Sequence, residues 1–172
     1  MKIQERSKKA IITEVMLTIV SVGQIVLSIV LYKKDGHPSL RLAGWIVLWI
    51  SAVFGWLPVW TFKKYGKVSK GKSYIYTTQL VENGIYRVMR HPQYFAGMLI
   101  GLALFLIAQH WLVGLLGLMC FIIYYSSSYD EEKAALRKFG EAYRDYMKRV
   151  PRFNFLTGLA RLFKQKSTAK TD

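Results

Sequence analysis

Two short stretches hold the residue types that could do chemistry. RVMRHPQYFAG, Arg87 to Gly97, sets two arginines, a histidine, a proline and a tyrosine against the start of a long apolar run, and YDEE, Tyr129 to Glu132, follows the far end of that run. Together such groups suit a zwitterionic ligand. A guanidinium holds a carboxylate bidentately, a carboxylate pair takes an ammonium, and tyrosine faces stabilise a cation. A helix starting at Pro92 would add free N–H groups and partial positive charge for an anion. Each residue alone has a plainer use: Arg87 and Arg90 as boundary charges, His91 as a helix cap, Glu131 and Glu132 as first-turn charges of a following helix. Only convergence would give them a function.

The elements between them predict that convergence. Apolar character runs from Tyr94 to Tyr125, broken at Gln109–Trp111, which is too long for one span and suits two helices, about 92–109 and 111–129, joined by a tight turn. Each climbs roughly 27 Å at the helical rise. The start of the first and the end of the second therefore lie at similar depth, bringing RHPQY beside YDEE.

Two further spans precede this hairpin. Residues of about 10–32 and of about 40–62 are long enough to cross a bilayer core of about 30 Å, and the second carries tryptophans near both ends as interfacial anchors. Pro58 is expected to kink it without ending it. Lys63 to Asn83, with five lysines, reads as a loop with an interfacial segment. From Asp130 the pattern turns amphipathic, with Leu136, Phe139, Tyr143 and Tyr146 recurring at three and four residues, and predicts an interfacial helix over about 130–149 that Pro151 stops. The tail of about 164–172 reads as disordered. The expected fold is all-α: a single polytopic membrane domain of about four transmembrane helices with a C-terminal amphipathic helix. GMLIG, Gly97 to Gly101, has the spacing of close helix packing, and Glu14 reads as an interfacial charge able to reach water or a partner in the bundle.

Net charge is +15 with 52% hydrophobic residues. Charges fall in blocks between apolar runs, which favours attraction to anionic lipid headgroups over nucleic acid, so no nucleic-acid partner is expected. Of the 25 Lys and Arg, 22 lie in segments that would share the N-terminal side; the positive-inside rule puts both termini and the Lys63–Arg90 loop in the cytosol. The polar cluster then faces the cytosol too, and His37 and His110 the other side. The lone cysteine, Cys120, excludes an intrachain disulfide. The first apolar stretch is too long for a signal peptide and lacks a small-residue cleavage site. No Rossmann, Walker or paired metal-ligand motif occurs.

LVENGIYRVMRHPQYFAG followed by DEEKAALRKFGEAYRDYMKRVPRF resembles the integral-membrane methyltransferases of the isoprenylcysteine carboxyl methyltransferase and phospholipid methyltransferase superfamily. Their pattern is GxYxxxRHPxY, two membrane helices, then EExxL, FGxxYxxY and a VPR-like ending. Gly84, Tyr86, Arg90, His91, Pro92 and Tyr94 fill the first half; Glu131, Glu132, Leu136, Phe139, Gly140, Tyr143, Tyr146, Pro151 and Arg152 fill the second. The likeness covers about 80–153. VPRFNFL lacks the proline that often follows VPR in the family.

The resemblance implies S-adenosylmethionine as cofactor, in a cytosol-facing pocket at the ends of the last two spans, and a lipophilic methyl acceptor entering from the bilayer. Tyr86, His91, Pro92 and Tyr94 would lie at the cofactor, Glu131 or Glu132 at its amino group, and Arg90 and Arg152 near the reacting groups. Methyl transfer from a sulfonium asks the protein mainly for alignment and exclusion of water. A carboxylate acceptor is ionised near pH 7 and needs no base. Spare bases are few, which favours it slightly over a protonated amine. Two other readings stand beside this one. Membrane sterol and steroid reductases, which use NADPH, also resemble this region but usually carry more spans. A non-catalytic basic scaffold would need charge but not the kept spacing. The oligomeric state is not written in these residues.

Overall fold

The computed structural model describes residues 8–66 and 79–168. Among the described residues are six α-helices: α1 Lys8–Val30, α2 Pro38–Tyr65, α3 Pro92–Ala108, α4 Trp111–Phe139, α5 Glu141–Arg149 and α6 Phe155–Thr168, with one 3-10 turn at Gly84–Arg87 and no strand. The all-α expectation holds. Helices α1, α2 and α4 are long and apolar enough to cross a membrane, with mean hydropathies of 2.0, 1.9 and 1.6, and α3 is a shorter apolar helix. Its 17 residues rise about 26 Å, near the thickness of a hydrocarbon core.

The chain forms two compact units, residues 1–51 with 97–127 and residues 52–96 with 128–172, so α2, α3 and α4 contribute to both. In the first, polar side chains and glycines tie apolar helices together. Gln24, 2% exposed, donates through Nε2 to Gly101 O (2.9 Å) and Val113 O (3.1 Å). Within a membrane such bonds replace the hydrophobic drive that lipid cannot supply. A Cβ on Gly101 would stand 3.3 Å from Gly117 Cα, and one on Gly97 would meet the Tyr124 ring at 2.3 Å; GMLIG is a packing face. Gln109, at φ 54, ends the α3 ladder and pairs its amide with His37, accepting from N and donating to O at 2.8 Å each.

The second unit holds the polar residues. Helix α2 runs through Pro58 without ending. Phe54 meets Phe95 and Phe155 edge-on, each at 5.1 Å between centroids. Tyr143, Tyr146 and Val150 form a core packed by Leu136, Phe139 and Met147.

The structure differs from the sequence reading at two places. Helix α4 does not stop near Tyr129 but continues to Phe139, because a change from apolar to polar side chains leaves the backbone ladder intact; Gly140, at φ 57, makes the break and starts α5. An added helix, α6, follows Pro151 and runs through the first part of the tail expected to be disordered, to Thr168; residues 169–172 lie outside the described residues. So do residues 67–78, where the interfacial segment of the Lys63–Asn83 loop was expected.

Candidate active site

Backbone pairing brings the two sequence motifs together. Arg90 N donates to Pro151 O at 3.0 Å and His91 N to Arg152 O at 3.3 Å, so the RHP segment is docked on VPR before any side chain acts. Pro92, which has no N–H to satisfy, then opens α3. The turn before it is fixed by Gly84, at φ 59, and by Tyr146, whose hydroxyl donates to Tyr86 O at 2.7 Å.

Glu131 and Glu132 are neighbours on α4 and so point about 100° apart. Glu132 turns inward, its side chain 4% exposed. Its Oε1 lies 2.8 Å from Arg90 Nη1, 3.1 Å from His91 Nε2 and 3.0 Å from Arg152 Nε, while Oε2 accepts from Arg152 Nη2. Three cationic groups thus fill one carboxylate. Glu131, with a side chain 55% exposed, reaches His91 Nδ1 with Oε2 at 3.3 Å and accepts from the Tyr94 hydroxyl. His91 therefore faces a carboxylate on each ring nitrogen, stacks on Tyr94 (5.5 Å, 15°) and leans on Phe153 (5.8 Å). Burial pushes the His91 pKa down, but the hydrogen bonds and charges of Glu131 and Glu132 outweigh it and hold it above its ordinary 6.5. Only the doubly protonated ring can donate to both partners.

Tyr86, Arg90, His91, Pro92, Tyr94 and Glu131 line one cavity of about 450 Å³, a size usual for small-molecule sites. Glu132 and Arg152 do not line it. Glu132 sits behind the wall, and Arg152 lies over the Tyr129 ring at 3.6 Å from its centroid. Arg90 is ion-paired to Glu132 through Nη1 and its side chain is 10% exposed, but its Nε has no hydrogen-bond partner among the described residues. A buried unpaired donor is costly, and Arg90 is one of the residues that line the cavity.

The lining also contains Phe62 of α2, Lys138 and Phe139 of α4, and Tyr143 and Tyr146 of α5, none of them chosen as site residues from the sequence. The two tyrosines carried a signal in FGxxYxxY; Phe62, amid an apolar span, carried none. Burial first, then the charge of Glu132, pushes the Tyr143 phenol up, so it remains a neutral O–H donor.

Long apolar helices mark an integral-membrane protein, and its polar cluster borders a cavity of a size usual for small molecules. A family model, phospholipid methyltransferase, matches residues 40–142. That is more than half of the chain, and the chain belongs to the phospholipid methyltransferase family, a group of membrane methyltransferases. No curated protein matches it. The match takes in α2, absent from the likeness read over residues 80–153, and with it Phe62.

Proposed function

We propose that this membrane methyltransferase uses S-adenosylmethionine and methylates a lipophilic, amphiphilic acceptor in the cavity bounded by Arg90, His91, Tyr94 and Glu131. The observation that carries the reading is that Arg90, whose Nε has no hydrogen-bond partner among the described residues, and the half-exposed Glu131 line one cavity. A guanidinium and a carboxylate lining the same cavity fit the carboxylate and ammonium of an amino-acid moiety. When bound, S-adenosylmethionine supplies a methyl group on a positively charged sulfur, an electrophile that needs no activation.

The chain's own residues then have positional tasks. Arg90 holds the carboxylate end and Glu131 the ammonium, while Tyr94 and His91 keep the Glu131 carboxylate in place. The Tyr86 and Phe62 rings, in edge contact at 5.1 Å, offer apolar and π surface to the rest of the ligand and to a cation. Glu132 and Arg152 act as positioning residues through Arg90 and His91. The aromatic walls keep water from the reacting atoms.

Neither His91 nor Glu132 can serve readily as a base: the first faces a carboxylate on each ring nitrogen and the second is engaged by Arg90, His91 and Arg152. This supports an acceptor that arrives with a free lone pair, a carboxylate being the simplest. The family description favours a second reading, a phospholipid acceptor; an amine nucleophile would have to arrive deprotonated, since Glu131 is engaged by the cofactor's ammonium. The charge distribution along the chain supports a cytosolic site with both termini on that side.

Titration of purified protein with S-adenosylhomocysteine tests the cofactor. Binding is expected in the wild type and reduced in Glu131→Gln; absence of binding to the wild type overturns the reading. Incubating lipid extract with protein and methyl-labelled cofactor then identifies the acceptor.

A further inference from the structure

Helix α6 has an inner face that grips the segment leading to the site and an outer face left exposed. Asn154 starts the helix, its Oδ1 accepting from Thr157 N at 3.0 Å. On the inner face, a Cβ at Gly158 would stand 2.0 Å from the Val88 carbonyl oxygen, and Arg161 Nη2 donates to Arg87 O. These contacts fall on the residues just ahead of Arg90 and His91.

At about 100° per residue, the helix surface passes from Gly158 through Leu159 to Phe163 and Leu156, then to Lys164 and Thr157. Leu156 is 76% and Phe163 68% exposed. An apolar arc left open and flanked by a cation is the pattern of a helix lying in a membrane interface.

Depth supports the same occupant. Phe155, the first residue of α6, packs on Phe54, which also packs on Phe95. Phe95 lies in the first turn of the apolar helix α3, about 4.5 Å inside Pro92 at the helical rise. The start of α6 is therefore level with the edge of a hydrophobic helix, where headgroups meet acyl chains.

We infer that the outer face of α6 docks into the headgroup boundary of an anionic leaflet, with Leu156 and Phe163 among acyl chains and Lys164 at anionic headgroups. Basic side chains near such a surface gain from its negative potential. The same helix then couples the lipid surface to the Arg87–His91 backbone through Gly158 and Arg161.

The test uses the full chain in a Cys120→Ser background, with spin labels on Leu156→Cys, Phe163→Cys and Thr157→Cys, in vesicles of phosphatidylcholine alone and in an equal mixture with phosphatidylglycerol. The labels at 156 and 163 should collide several-fold more with oxygen than with an aqueous nickel chelate, and the label at 157 should show the reverse. Phosphatidylglycerol should deepen the label at 163, and Lys164→Glu should remove that increment. Equal chelate access at all three positions, or label depths indifferent to phosphatidylglycerol, overturns the proposal. The readout involves no methyl transfer and stands apart from the cofactor reading.

Discussion

His91 Nε2 lies 3.1 Å from Glu132 Oε1, and both side chains are 4% exposed. With Glu131 on the other ring nitrogen, this contact favours the imidazolium and, against the lowering effect of burial, raises the His91 pKa above its ordinary 6.5. Below pH 6.5 the ring is protonated whether the chain is folded or not, and the contact contributes in full. As pH rises through the raised folded value the proton is lost and the contribution goes with it. Unfolding of the purified protein in detergent, followed across pH, should therefore show stability falling above pH 6.5. In His91→Gln that slope should be absent; an unchanged slope there would assign it to another group.

Glu132→Gln keeps the shape of the side chain and removes the charge that Arg90, His91 and Arg152 share. Breaking a buried ion network by losing one partner costs about 3–5 kcal/mol, here chiefly because Arg90 stays buried without its carboxylate. The variant should lose stability of that order in denaturant titration. Since Glu132 does not line the cavity, the loss should be present without any ligand. A variant as stable as the wild type would show that water or rearranged partners already compensate the three cations.

Glu131→Gln should behave in the opposite way. Its side chain is half in solvent, so stability should change little, while affinity for S-adenosylhomocysteine should fall roughly 10-fold, the scale of one charged hydrogen bond to an ammonium. Isothermal titration separates the two glutamates. If Glu132→Gln, corrected for its folded fraction, weakens binding more than Glu131→Gln, the roles are reversed.

The meeting of RHP with DEE was legible because it follows from two helices of nearly equal rise joined by a turn, and a rise depends on residue number alone. Which glutamate faces the cavity was not legible. Adjacent residues on a helix differ by about 100° in direction, and the outcome depends on how α4 is rotated by packing. The continuation of α4 past Tyr129 was missed for a related reason. Polarity changes there, but helices end where the backbone ladder ends, and Gly140 with φ 57 is that place. The helical α6 was hidden because KQKSTAK is polar and basic; its packing residues, Phe155 and Gly158, lie upstream. Gly84 belonged to the recognised motif, yet its reason is visible only in three dimensions.

That reason yields the last prediction. Gly84 adopts φ 59, and a Cβ added there would lie 2.5 Å from Thr61 Oγ1, 2.8 Å from Cγ2 and 3.2 Å from Cβ. Gly84→Ala thus combines left-handed backbone strain with a clash against α2, each costing about 1–3 kcal/mol. The two parts can be separated. Thr61→Ala removes Oγ1 and Cγ2, and because Oγ1 has no hydrogen-bond partner among the described residues its loss forfeits no bond among them. In the Gly84→Ala, Thr61→Ala double variant the steric part should disappear and only the backbone strain remain, so the measured cost should be less than the sum of the single variants. The Gly84–Arg87 turn carries the Tyr86 carbonyl that accepts from Tyr146, so Gly84→Ala should also weaken S-adenosylhomocysteine binding, and the double variant should recover part of it. Strict additivity in stability would mean that Thr61 does not confine this turn, and that glycine is required there by backbone conformation alone.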